Sequence, residues 1–168
     1  MTSCESDKDK FEKLKVLADQ AYALNDEMKN DPATDKDLVA WEQKWDGLCE
    51  QIEEGIDAIP EDADFPEEDI DKITDAYKLT VGMGHSCKLG NAVKDIANNF
   101  QGYSTSDWDA KAKVVTDIVN DAKEDRDNGL IRDEEWAVIQ QVGAEYMQMM
   151  QMFYVMGQGE TTGTIDFD

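Results

Sequence analysis

Glu50, Glu53, Glu68 and Asp71 form two pairs of carboxylates, each pair three residues apart and so about one helical turn from its mate. Carboxylates in this pattern can do two kinds of chemistry. They can hold a divalent cation through hard oxygen ligands, or they can present a polyanionic surface to a basic partner. The four lie inside a longer run. Between Asp46 and Asp71 the chain has twelve Asp and Glu residues and no Lys or Arg. The net charge of the 168-residue chain is −23, so this stretch of 26 residues supplies more than half of it. Surface helices ordinarily interleave the two signs of charge, and a run of one sign calls for a reason other than folding.

Stepping from charge to elements, the apolar residues recur at helical spacing almost throughout and no strand alternation is present, which predicts an all-α chain of about five helices. Helix 1 is expected over residues 6–29, with Phe11, Leu14, Leu17, Ala18, Ala21, Leu24 and Met28 on one face and a stop at Asn30-Asp31-Pro32. Helix 2 is expected over residues 35–59, capped by Thr34 or Asp35 and halted by Pro60. Its apolar stripe is Leu38, Trp41, Trp45, Leu48, Cys49, Ile52, Ile56 and Ile59. Helix 3 opens at Glu67-Glu68-Asp69. The three glycines between Gly82 and Gly90 predict either a kink or break, or a stripe (Gly82, Ser86, Gly90) that lets another backbone come close. Helix 4 starts at Thr105 or Ser106 and ends at Asn128-Gly129. Helix 5 starts after Asp133 and runs to about Met156. Residues 1–156 are read as one helical bundle around Trp41, Trp45, Trp108 and Trp136, and residues 157–168 as a flexible tail.

On this frame Glu42, Asp46, Glu50, Glu53, Glu54 and Asp57 share an arc of about 120° on helix 2, away from its apolar stripe. Four like-charged i,i+4 pairs (42/46, 46/50, 50/54 and 53/57) oppose helix formation, each by roughly 0.2–0.5 kcal/mol. Helix 1 behaves differently: its exposed face mixes Lys8, Asp9, Lys10, Glu12, Lys13 and Lys15. The acids of helix 3's first turn have an ordinary reason to be there, since they meet the positive end of the helix. The acids without a folding reason are Asp46, Glu50, Glu53, Glu54 and Asp57, with the loop acids Glu61, Asp62 and Asp64.

Carboxylates one turn apart repeat about every 5–6 Å, close to the spacing of phosphates along a strand. The expectation is a non-enzymatic binding protein whose acidic face mimics nucleic acid, occupies the basic groove of a DNA- or RNA-binding protein and inhibits it. In charge and size the chain resembles the small acidic inhibitors with which phages block restriction and other defence systems. A polyanion of pI about 4.1 is not expected to bind nucleic acid or an anionic membrane directly.

The same carboxylates support an enzyme reading. Glu50-x-x-Glu53 followed by Glu68-x-x-Asp71 resembles the ExxE…ExxD pattern of the all-α nucleoside-triphosphate pyrophosphatases of the MazG and dimeric dUTPase type. The resemblance covers 22 residues, from Glu50 to Asp71. It implies that the four carboxylates hold Mg²⁺ against substrate phosphates; under the first reading no cofactor is expected. A third reading is a helical adaptor or assembly chaperone. The segment 146–156 is apolar nearly all round and is read first as core; in the second reading Met149, Met150 and Phe153 offer an adaptable seam for a partner or a second copy.

Other motifs are explained by folding. The segment 124–135 imitates a calcium loop at Gly129, Ile131 and Glu135, but Arg126 stands where a ligand is needed, so a helix–turn–helix corner is expected. His85-x-Cys87 lacks further zinc ligands. Cys4, Cys49 and Cys87 are an odd set without zinc spacing, which points to a reducing compartment, the cytoplasm. No basic n-region with an apolar run, and no apolar stretch of about 18 residues, is present to suggest a signal peptide or a membrane span. The segment 164–168, Thr-Ile-Asp-Phe-Asp, is read as frayed.

Overall fold

The computed structural model describes residues 6–31, 38–155 and 167. Among them the chain is all-α, with five α-helices: α1 Asp7–Asn30, α2 Leu38–Asp57, α3 Glu67–Asn99, α4 Thr105–Asp127 and α5 Asp133–Val155. A short 3₁₀ turn, Phe100–Gly102, separates α3 from α4. The expected caps for helix 2 (Thr34 or Asp35) and all of the expected tail except Phe167 fall outside the described residues. Contacts cluster into two compact units, residues 1–81 and 82–168.

In the first unit the helix starts and stops follow local chemistry. Ser6 caps α1, its Oγ accepting the Asp9 backbone N–H at 3.2 Å. Helix α2 ends at Asp57, two residues short of the expected end, and its last turn tightens as the Ile59 N–H donates to the Ile56 carbonyl. The core takes Phe11, Leu14, Ala18 and Ala21 from α1 and Trp41, Trp45, Leu48 and Ile52 from α2, all on the apolar stripes read from the sequence, together with Ile73, Ala76 and Leu79 from α3. Phe65, from the loop before α3, stacks on Phe11 with ring centroids 3.9 Å apart. Trp45 is fully buried, and its indole N–H donates to Met28 Sδ. Tyr22 fastens α1 to α3, its hydroxyl donating to Asp75 Oδ2 at 2.5 Å.

The second unit packs Leu89, Val93 and Ile96 of α3 with Trp108, Val115 and Val119 of α4 and Ile139, Tyr146, Met150 and Phe153 of α5. Trp108 is the hub, with Phe153 at 4.7 Å and Tyr103 edge-on at 5.6 Å. Ser104 and Asp107 make a reciprocal capping box at the start of α4. The bonds from Ser104 hold the Asp107 carboxyl below its ordinary pKa. At the far end Gly129 adopts φ 75°, the left-handed conformation that lets the Leu130 N–H return to the Asp125 carbonyl and close the helix.

Two expectations are corrected in this unit. Trp136 is only half-buried, so it is not part of the core as Trp108 is. The glycine-rich segment does not break helix 3: α3 is helical without interruption through Gly82–Gly90. Packing overrides the poor helix propensity there, because Gly82, Gly84, Ser86, Cys87 and Leu89 are all buried. At Gly82 the second alternative applies. A Cβ there would lie 2.6 Å from Glu135 Cβ, so the absent side chain is what admits α5. Glu135 is itself buried and is held by Arg132 through two bonds, of 2.6 and 3.0 Å.

Candidate functional site

Helix α2 carries the acidic face. Trp41, Trp45, Leu48 and Ile52 point one side of the helix into the core of the first unit, and the wheel then forces the acids to the other side. Asp46, Glu50, Glu53, Glu54 and Asp57 are all exposed, and so are the loop acids Glu61, Asp62 and Asp64. Glu42 is half-buried at the margin. At 1.5 Å per residue, the five helical acids extend over about 16 Å of α2.

Four lysines of this unit are paired elsewhere. Lys10 lies 3.8 Å from Asp7, Lys15 sits between Glu12 and Asp69, Lys44 meets Glu27, and Lys72 pairs with Asp19. None of these four lysines pairs with an acid of the α2 face or of the loop after it. Helix α2 has no basic residue in its last turn, so Glu54 and Asp57 face the negative end of the helix dipole. At that end Lys10 of α1 donates its Nζ to the Ala58 carbonyl at 3.3 Å. Beside the face an open groove of about 670 Å³ runs between α1 and α2, lined by Lys10, Lys13, Leu14, Leu17, Glu54 and Gly55 among others.

This arrangement costs stability. Replacing Glu50, Glu53 and Glu54 by Gln and Asp57 by Asn removes three like-charged i,i+4 pairs and two charges opposed to the dipole. The expected result is a gain of about 1–3 kcal/mol in unfolding free energy at low salt, shrinking as salt is added. Urea unfolding followed by circular dichroism checks it, and a loss of stability would contradict the electrostatic account of the face.

The metal reading fares differently. Glu50, Glu53, Glu68 and Asp71 are each exposed. Among the described residues no group of three or more His, Cys, Asp and Glu side chains is placed to hold a metal ion. The two pairs have the right sequence spacing but are not gathered into a ligand set, so the residues present do not fit Mg²⁺.

The Met-rich seam is corrected too. Met150 and Phe153 are buried in their own unit, 6% and 1% exposed, and Met149 is half-buried. Met152 is the exposed member, at 54%. The all-round apolarity of α5 therefore reflects its place in the second unit's core, and Phe153 is spent against Trp108.

Three pairings were not legible in the sequence. His85 Nε2 lies 2.6 Å from Asp125 Oδ2, joining α3 to α4 across 40 positions of sequence. Arg126, at the failed calcium-ligand position, donates to the Ile131 carbonyl and to Asp133, and its guanidinium stands over the Trp136 ring. Phe167 packs edge-on against Trp136, with ring centroids 6.0 Å apart. Among the described residues no helix is long and apolar enough to cross a membrane. No protein-family model, curated protein or solved structure matches this chain.

Proposed function

We propose that the chain is a non-enzymatic binding protein. Its acidic face, Asp46, Glu50, Glu53, Glu54, Asp57, Glu61, Asp62 and Asp64, occupies the basic groove of a DNA- or RNA-binding protein in place of nucleic acid and inhibits it, in the manner of the small acidic phage inhibitors. The observation that carries this reading is the exposure of all eight acids while nearby lysines pair with other residues. An acidic face kept for solubility alone needs no such segregation. A face meant for a basic groove does, because each internal cation would cancel part of the field that steers the partner and the counterion release that drives binding. Repulsion within the face, aggravated by the helix dipole, is then a stability cost retained for binding.

The test is affinity capture from a lysate of the source cell, with elution by increasing salt and identification of what elutes. A nucleic-acid-binding protein released steeply by salt is the expected outcome. If nothing that handles nucleic acid is released, the reading is wrong. The pyrophosphatase reading lacks a gathered carboxylate set, and the adaptor reading lacks an exposed Met149–Met150–Phe153 seam.

A further inference from the structure

We propose that Trp136 and Gly143 on α5 form a socket for a phenylalanine flanked by acids, and that its resident occupant is the chain's own Phe167. Gly143 lies inside α5, where glycine is a poor helix former and alanine the best. Its φ is not positive, so the backbone conformation does not require glycine. What requires it is space. A Cβ at position 143 would lie 2.2 Å from Phe167 Cζ and 2.8 Å from Phe167 Cε2, and the three nearest atoms to it all belong to that ring. The Phe167 ring therefore rests directly on the α5 backbone, where only glycine leaves room.

Trp136 supplies the wall. It lies seven residues earlier, on the same face of the helix, and meets the Phe167 ring edge-to-face at 6.0 Å and 75°. The Trp136 ring is itself held from another direction. The Arg126 guanidinium stands 5.9 Å from its centroid while bonding the Ile131 carbonyl and Asp133. The Arg126 guanidinium puts a cation beside the Trp136 wall, and in sequence Phe167 lies between Asp166 and Asp168. Ring, wall and charge agree on one ligand class: a phenylalanine within a short acidic peptide. Because Phe167 is joined to its socket only through the chain, it has the advantage of effective concentration over a free peptide, and the same socket accepts a peptide once Phe167 is removed.

The test uses the full chain and the fluorescence of Trp136, assigned by difference from a Trp136→Phe variant. Phe167→Ala should shift Trp136 emission to the red, as ring cover is replaced by water. The hexapeptide Gly-Thr-Ile-Asp-Phe-Asp, added to the Phe167→Ala chain, should reverse the shift saturably, and its Phe→Ala counterpart should not. Gly143→Ala in the otherwise native chain should reproduce the red shift with helix content unchanged or higher, since the added Cβ evicts the ring but favours the helix. On the Phe167→Ala background the same substitution should weaken the peptide at least about tenfold. The wild-type emission should not change on about a hundredfold dilution, as expected for an occupant from the same chain. Unchanged emission in Phe167→Ala or Gly143→Ala, absence of saturable peptide binding, or a dilution-dependent signal that assigns the occupant to a second copy would each overturn the proposal.

Discussion

Reversing Glu50, Glu53, Asp57 and Glu61 to lysine in a single chain is expected to weaken binding of the basic partner by about 10³-fold or more. Each reversal both removes an attraction and installs a repulsion. At roughly 1 kcal/mol per position or somewhat more, four positions amount to a change of that size in affinity. The variant should remain folded. Lysine at 50 turns the 46/50 and 50/54 contacts from repulsive to attractive, and lysine at 53 and 57 complements the helix C-terminus, although 53 and 57 remain alike in sign. Loss of binding in a chain that is at least as stable as the parent would separate the role of the face from its folding. Circular dichroism and urea unfolding supply that control. Isothermal titration against the captured partner supplies the affinity, and an unchanged Kd would remove these residues from the interface.

Trp45→Ala should destabilise the chain by about 3–5 kcal/mol, the cost of deleting a large aromatic from a filled core. Trp45 has no exposed surface, and its indole N–H is satisfied by Met28 Sδ, so the substitution leaves a cavity rather than a relaxed surface. Against a typical stability of ~5–15 kcal/mol this is a large fraction, and the electrostatic cost of α2 lowers the margin further. The substitution should also abolish partner binding indirectly, because Trp45 is what turns the acids outward. Thermal unfolding at low and high salt checks the prediction. A loss below about 1 kcal/mol would mean that α2 is not anchored through this residue.

Much of this was legible in the periodicity of apolar residues. Trp41, Trp45, Leu48 and Ile52 recur at steps of four, three and four, and that alone orients α2 and places Asp46, Glu50, Glu53, Glu54 and Asp57 in solvent. Ser6, Ser104 and Asn128-Gly129 mark helix ends through local hydrogen bonds, so these boundaries could be read to within about one residue. What could not be read depends on residues far apart in the chain. Gly82–Gly90 carries a strong local signal for a break, yet burial of Gly82, Gly84 and Ser86 keeps α3 intact. The apolar end of α5 can be read as core or as seam, and the burial of Met150 and Phe153, with the contact of Phe153 on Trp108, places those two in the core. His85 with Asp125, and Phe167 with Gly143, join positions that no local pattern relates. Gly143 did carry a signal, as a glycine inside a helical run, but its meaning required the ring that fills the space.

The acidic face is proposed to take the place of nucleic acid in a basic groove. Competition tests this most directly: the captured partner is loaded with a labelled duplex of the kind it binds, and the purified chain is titrated in. The wild-type chain should displace the duplex fully, with an affinity that falls steeply and linearly in log–log form with salt, and the Glu50, Glu53, Asp57, Glu61 reversal variant should displace none. A ternary complex in which partner, duplex and chain are bound together would contradict it.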